Sequence, residues 1–199
     1  MFDINIITKE QQKTSTWAGG TTTQFAIYPE ASSYANRDFL WRLSSAVVEL
    51  KESNFTWLPG FDRHLMVLEG ELKLVYSEHH SVILMQYEQD SFKGCFDTVS
   101  FGRARDFNLM LKEGVKGRLE HYISAVGQRF NFNLEKECQK QGFFACYCYK
   151  GHISIEAMGK FEALSEGDFL LISYNDSLPL IAENNGDKEC SLIAAFIEV

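Results

Sequence analysis

The chain has 199 residues, 45% of them hydrophobic, which is enough for one large β domain or two small ones sharing a core. Its 27 acidic and 19 basic side chains give a formal net charge of -8, which repels nucleic acid and anionic lipid. The sequence contains no basic leader and no long apolar window, so we expect a cytoplasmic protein without a nucleic-acid or membrane partner.

Short apolar or alternating runs follow one another along the whole chain, and turn signals such as Pro59-Gly60 and Glu69-Gly70 separate them. The predicted strands are residues 22–28, 39–50, 64–68, 71–76, 81–87, 106–111, 117–124, 142–149, 151–157, 161–164, 168–173 and 190–197. Many short strands joined by close turns are typical of a sandwich or barrel. The pattern therefore predicts an all-β fold and disfavours a parallel βαβ architecture.

A polar stretch without strand alternation, residues 127–141, divides a longer first half from a shorter second half. Each half contains a comparable hairpin, at residues 66–76 and 145–155. This similarity indicates a duplicated barrel unit. We therefore predict an N-terminal domain over residues 1–112 and a C-terminal domain over residues 113–199.

The first polar motif is WAGGTT, residues 17–22, directly before a predicted strand. Gly19 and Gly20 suit a backbone with positive φ or a close approach of two chain segments. The exposed amides of such a turn can hold an anion, or the turn can be purely structural. Both interpretations remain open for this motif.

The second motif lies in the predicted strand 39–50, where period-two alternation puts Arg42 and Ser44 on one face and Trp41 and Leu43 on the other. The face with Arg42 carries small side chains and one cationic group. Such a face can line a lumen in which the guanidinium binds a carboxylate or phosphate. It can equally be an exterior face with a solvated arginine.

In the third motif, Asp62, Arg63 and His64 directly precede a strand and follow the Pro59-Gly60 turn. An arginine inside a barrel requires an acid, an anionic ligand or water to offset its desolvation. His64 beside Asp62 can act as an acid or base, or can be a hydrogen-bonded structural imidazole.

The fourth motif places Asp106, Asn108 and Met110 on one face of a strand. Asp106 can pair with Arg63 or Arg42, and Asn108 offers both a donor and an acceptor. These side chains either contact a ligand or form a structural ion pair.

The remaining residue types give little support for metal or cofactor chemistry. The five cysteines, at positions 95, 138, 146, 148 and 190, are irregularly spaced, so reduced thiols are expected. Cys146 and Cys148 point the same way on a strand, which suits a soft metal, but burial of both thiols is the favoured interpretation. No His-x-His pair or Gly-rich loop before a helix occurs, so we predict no metal and no cofactor.

Together these motifs resemble the HutD/Ves family of small bacterial bicupin proteins. The resemblance runs through WAGGTT, FLWRLSSA (39–46), FTWLPGFDRHLMVLEG (55–70), FKG (92–94) and RDFNLM (105–110). The motif positions fall on Trp17, Gly19, Gly20, Arg42, Ser44, Pro59, Gly60, Asp62, Arg63, Asp106 and Asn108. The resemblance implies two RmlC-like jelly-roll β-barrels in one chain, an association with histidine utilisation, and binding or sensing of a small carboxylate. The paired histidines and glutamate with which other cupins hold a metal are absent.

The leading hypothesis is a binding protein for a small anionic metabolite. We expect the ligand to contact Arg42, Ser44, Arg63, His64, Asp106 and Asn108, and we expect Trp17, Gly19, Gly20, Pro59, Gly60 and Asp62 to shape the fold around it. The alternatives are a metal-independent lyase, isomerase or hydrolase with His64 or Asp106 as base, and a structural or interaction protein. Exposed strand edges also allow a homodimer.

Overall fold

The structure is a computed structural model that describes residues 1–137 and 139–199. The described residues form β-strands with one short 3-10 helix, Lys9–Gln11, and no α-helix, so the all-β prediction is confirmed. The strands are β1 Phe2–Ile7, β2 Lys13–Trp17, β3 Gly20–Tyr28, β4 Trp41–Val48, β5 Glu52–Asn54, β6 Phe61–Gly70, β7 Leu72–Tyr76, β8 Ser81–Leu84, β9 Gln89–Lys93, β10 Thr98–Phe101, β11 Ala104–Lys112, β12 Lys116–Ser124, β13 Arg129–Leu134, β14 Gly142–Lys150, β15 His152–Ala157, β16 Lys160–Ser165, β17 Phe169–Tyr174, β18 Leu178–Glu183 and β19 Cys190–Glu198.

The chain divides into two compact units. The central unit is Gln12–Val115, and the terminal unit combines Met1–Gln11 with Lys116–Val199. The first strand belongs to the terminal unit because β1 pairs with β17, where Phe2 lies opposite Tyr174. The sequence had placed all of residues 1–112 in one domain. Local alternation identifies a strand but not its partner, so this long-range pairing could not be read from the sequence.

The central unit contains two antiparallel sheets. One has the strand order β2-β3-β4-β11-β6-β9, and the other has the order β5-β10-β7-β8. Buried side chains from both sheets form one cluster that includes Leu65, Val67, Leu72 and Leu74. The two sheets therefore pack face to face, as in a sandwich or jelly roll.

The middle of the six-stranded sheet is formed by β4, β11 and β6, and it is unusually polar for a buried surface. Trp41 and Leu43 are buried on one face of β4, as the alternation predicted. Arg42 and Ser44 are buried on the other face. Both faces of the first half of β4, residues 41–45, are thus shielded from solvent.

The terminal unit also contains two antiparallel sheets, with the orders β1-β17-β14-β19-β12 and β13-β18-β15-β16. Its buried cluster is apolar, with Phe144, Ile172, Ile155 and Leu180 among its members. Because these side chains come from both sheets, they fill the space between them. No helix in residues 1–137 and 139–199 has the length and apolar character that a membrane crossing requires.

Three thiols lie within the terminal unit, on β14 and at the start of β19. Cys146, Cys148 and Cys190 are buried, and the sulfur atoms of Cys148 and Cys190 are 4.0 Å apart. Cys95 is exposed, and all four of these cysteines are free. The burial predicted for Cys146 and Cys148 is therefore confirmed. Cys138 lies outside the described residues.

Candidate functional site

A cavity of about 260 Å³ opens in the central unit above the polar face of β4, β11 and β6. Three rows of in-register residues cross these strands: Arg42–Met110–Arg63, Ser44–Asn108–Leu65 and Ala46–Asp106–Val67. Successive rows are two residues apart, or about 7 Å along the strands. The cavity floor thus begins with two arginines and continues with Asn108 and then Asp106.

The Arg42 side chain is held in place by neutral groups. Its Nε donates to Gln24 Oε1 at 2.8 Å, and its Nη1 donates to Ser44 Oγ at 3.1 Å. The guanidinium lies 4.6 Å from the centre of the Tyr34 ring. Burial lowers the pKa of Arg42, Tyr34 opposes this change, and the neighbouring charge of Arg63 adds to it. The arginine is therefore fixed but not neutralised by its direct partners.

Arg63 is enclosed mainly by aromatic rings. Its Cζ lies 4.7 Å from the centre of Phe55 and 5.3 Å from the centre of Phe92. Its side chain is 6% exposed, and its Nε donates no hydrogen bond to the described residues. Burial lowers the pKa of Arg63, while Tyr34, Asp106 and Tyr76 raise it. A buried guanidinium with an unused donor favours an anion in this cavity.

Asp106 and Asn108 supply the acceptor groups of the cavity. Asp106 Oδ1 accepts a long hydrogen bond of 3.4 Å from the backbone nitrogen of Ala46. Burial raises the pKa of Asp106 to about 7, although Arg63 lowers it. Asn108 is 5% exposed, and its Oδ1 accepts no hydrogen bond from the described residues. The floor therefore carries two cations, one readily protonated carboxyl and one unsatisfied amide.

The WAGGTT motif forms the turn between β2 and β3 beside the cavity, and Trp17 lines the cavity. A Cβ added to Gly19 would lie 2.0 Å from the Trp17 ring. Gly20 has a φ of +152°, and its added Cβ would lie 1.9 Å from the Val47 carbonyl oxygen. The glycines thus allow the close approach and the positive φ that the sequence predicted.

Four other predicted residues lie away from this cavity. The Pro59-Gly60 turn is exposed, and Gly60 has a φ of +79°. Asp62 Oδ1 lies 2.6 Å from Lys93 Nζ in an ion pair. His64 Nδ1 lies 2.7 Å from Ser91 Oγ, and burial lowers the pKa of His64.

His64, which we expected to contact a ligand, does not line the cavity. Arg63 and His64 are consecutive residues of β6, and consecutive strand residues point to opposite faces of a sheet. Because Arg63 lines the cavity, His64 points away from it. Arg42, Ser44, Arg63, Asp106 and Asn108 are brought together as expected.

Several cavity residues were not identified from the sequence. They come from β2, β3, β5 and the connections around them: Ser15, Thr22, Tyr34, Asn54, Phe55 and Thr56. Gln24, which accepts a hydrogen bond from Arg42 Nε, was not identified either. Tyr34 lies in the connection between β3 and β4, and this connection has no strand alternation from which its position could be predicted. Gln24 precedes an irregularity in the pairing of β3 with β4, between Gln24 and Ala26. Of these residues only Thr22 and Gln24 lie in a predicted strand, residues 22–28, and strand alternation does not identify the sheet that such a strand joins.

A wider depression of about 650 Å³ also opens in the central unit. Charged residues of both signs line it: Glu49, Glu69, Arg103 and Arg105. These charges can offset one another at an open surface. The smaller cavity instead encloses buried cations, so we assign the candidate site to it.

Among the described residues, no group of three or more His, Cys, Asp or Glu side chains is placed to hold a metal ion.

Known proteins resemble this chain over nearly its full length. PA5104 from Pseudomonas aeruginosa PAO1 has a TM-score of 0.82 at 20% identity, with 98% of each chain covered. HutD from Pseudomonas fluorescens SBW25 has a TM-score of 0.70 at 21% identity, covering 97% of this chain and 98% of that one. A cupin 2 conserved barrel domain protein from Leptotrichia buccalis has a TM-score of 0.58 at 10% identity, covering 96% and 95%. These likenesses establish a cupin-like β fold.

No curated protein matches the chain significantly. The HutD family model matches residues 9–189, which is most of the chain. The resemblance predicted from the sequence motifs is confirmed by this match. The chain belongs to the HutD family.

Proposed function

We propose that the cavity of the central unit binds a small carboxylate, and that the protein acts as a binding or sensing module for such a metabolite. The observation that carries this proposal is the charge of the cavity floor. Arg42 and Arg63 are both buried there, and Asp106 is an acid whose charge acts on Arg63. An anion offsets the desolvation of the second guanidinium, which the protein leaves uncompensated.

The two arginines suit a carboxylate in different ways. Arg42 is oriented by Gln24 and Ser44, so its remaining N–H groups have a fixed direction. Arg63 is positioned by aromatic rings and retains its Nε donor. A carboxylate accepts two parallel hydrogen bonds from one guanidinium, and its charge interacts favourably with both.

The similar HutD structure from P. fluorescens represents a formate condition, and formate is the smallest carboxylate. We propose that this chain takes carboxylates, and that its role is linked to histidine utilisation through its family. We also propose that each unit is a cupin-like jelly-roll barrel, so that the chain is a bicupin. Growth of a deletion strain on histidine tests the biological link.

Isothermal titration calorimetry of the full chain with formate, acetate and glutarate tests the binding proposal. We expect Arg42→Ala to weaken binding by at least about tenfold, because charge-assisted hydrogen bonds are lost. Arg129→Ala is the matched control, since Arg129 is exposed and pairs with Glu183 in the terminal unit. Equal affinity of Arg42→Ala and the parent for every carboxylate that the parent binds would refute this site.

A metal-independent enzyme is the second candidate, and Asp106 is the observation that favours it. Its buried carboxyl has a pKa raised to about 7, which suits a general base near neutral pH, and Arg63 can stabilise developing negative charge. His64 does not face the cavity and has no part in this candidate. If an activity is found, a pH profile without a transition near neutrality would exclude Asp106 as its base.

A further inference from the structure

Tyr34 lines the cavity although it belongs to no strand of the sheet. It lies in the connection between β3 and β4, and it is partly exposed, whereas Arg42 and Arg63 are buried. Its ring covers the guanidinium of Arg42, whose Cζ lies 4.6 Å from the ring centre. Tyr34 therefore forms part of the cavity wall beside the cationic end of the floor.

The hydroxyl group of Tyr34 is not used within the protein. The ring contacts Arg42 and also Phe39, whose ring centre lies 6.2 Å away. The hydroxyl itself forms no hydrogen bond with any residue in 1–137 or 139–199. A hydroxyl of a partly exposed side chain is hydrated in the ligand-free protein, and it can exchange that water for a ligand.

This hydroxyl also lies close to both arginines. Burial lowers the pKa of Arg63, and among the neighbouring groups that raise it Tyr34 acts most strongly, ahead of Asp106. Tyr34 likewise opposes the effect of burial on the pKa of Arg42. The ionisable group of a tyrosine is its hydroxyl, so both effects indicate that the hydroxyl lies beside the cations that attract a carboxylate.

The connection that carries Tyr34 holds the side chain in position. Phe39 is fully buried, and Tyr34 packs against the cluster that contains it. The backbone nitrogen of Ser33 donates to Asp38 Oδ1 at 2.8 Å, which closes the connection on itself. A donor that is already positioned loses little conformational entropy when a ligand binds.

Resting on the proposed carboxylate binding, we infer that Tyr34 is a further ligand-binding residue, which donates its hydroxyl hydrogen to the carboxylate bound by Arg42. A carboxylate has about four lone-pair sites, so it can accept two hydrogen bonds from a guanidinium and a third from a hydroxyl. Because this bond forms only with a ligand, the hydroxyl contributes to affinity and not to the stability of the ligand-free protein.

Calorimetry of Tyr34→Phe with formate, acetate and glutarate tests this inference on the full chain. The variant keeps the ring over Arg42 and removes only the hydroxyl, so we expect about tenfold weaker binding of each carboxylate that the parent binds. Its melting temperature without ligand should equal that of the parent. Tyr174→Phe is the matched control and should keep the affinity of the parent, because Tyr174 lies in the terminal unit and donates a long hydrogen bond of 3.4 Å to the Glu135 carbonyl.

A second substitution changes the donor without removing it. A 3-fluorotyrosine in place of Tyr34 has a more acidic phenol, which is a stronger hydrogen-bond donor while it stays protonated. At about pH 6, well below the titration range of phenols, this protein should bind carboxylates at least as tightly as the parent. It serves if Tyr34→Phe fails to fold, which circular dichroism would show, and weaker binding would then overturn the inference.

The outcomes separate the inference from the proposed function. Equal affinity of Tyr34→Phe and the parent would overturn the role of the hydroxyl and leave carboxylate binding at Arg42 intact. A loss of affinity that comes with a lower melting temperature, or that Tyr174→Phe shares, would assign the effect to the fold and overturn the role as well. No binding of any of the three carboxylates to the parent would overturn both proposals.

Discussion

Replacing Asp106 by Asn should remove a pH dependence from the stability of the central unit. In the folded chain burial raises the pKa of Asp106 to about 7, from an ordinary value of 3.8. The carboxyl of Asp106 therefore stays protonated in the folded state over a pH range in which it is ionised in the unfolded state. Stability falls as the pH rises from about 4 to about 7 and is then constant with respect to this group.

The magnitude follows from the two pKa values. A difference between about 7 and 3.8 corresponds to about 4 kcal/mol, at about 1.36 kcal/mol for each unit. About 2–3 kcal/mol of this loss falls between about pH 5 and about pH 8, because the unfolded state has already begun to ionise at the lower pH. An amide does not titrate in this range. The stability gained by Asp106→Asn should therefore be about 2–3 kcal/mol larger at the higher pH.

Urea denaturation, monitored by tryptophan fluorescence, measures this difference for the unfolding of the central unit. Trp17, Trp41 and Trp57 are the 3 tryptophans of the chain, and all lie in the central unit. Glu71→Gln is the control, because it removes an exposed carboxylate of the same unit. His64 is present in all variants, so its contribution cancels when their free energies of unfolding are compared at the same pH. Parallel pH dependences of the parent and Asp106→Asn would refute the buried, proton-binding role of this carboxyl.

Three further predictions concern packing, backbone and thiols. Leu43→Ala should lower the free energy of unfolding by about 2–5 kcal/mol in urea melts, since Leu43 is fully buried. Gly20→Ala should cost more than about 2 kcal/mol because its Cβ meets a backbone carbonyl, whereas Gly60→Ala, with open space around it, should cost only about 1 kcal/mol. Titration with Ellman's reagent should lose one fast-reacting thiol in Cys95→Ser and none in Cys148→Ser, because Cys95 is exposed and Cys148 is buried.

The alternation of residues 39–48 predicted much of the site, because strand geometry is set locally. It identified the buried Trp41 and Leu43 on one face and the cationic face of Arg42 and Ser44 on the other. Because consecutive strand residues point to opposite faces of a sheet, Arg63 and His64 cannot both line one cavity. The sequence alone could not show which of them faced inward.

Other features depend on contacts that no local pattern encodes. Tyr34 reaches Arg42 from the connection between β3 and β4, and its position there depends on the fold of that connection. Gln24 lies opposite Ser44 in the pairing of β3 with β4, and from there it reaches Arg42, two residues away on the same face of β4. Likewise β1 joins β17 across most of the chain length. Such positions follow from tertiary packing and not from periodicity.

Because the side chain of Gln24 is neutral, a single substitution at this position could block carboxylate binding in the cavity. Gln24 presents an amide oxygen to the guanidinium of Arg42. Exchanging it for glutamate would keep nearly the same shape but install a permanent internal competitor, a tethered carboxylate at very high local concentration. This carboxylate would then pair with Arg42 and exclude a carboxylate ligand from it. On the proposed function, the neutral amide of Gln24 orients Arg42 without neutralising its charge.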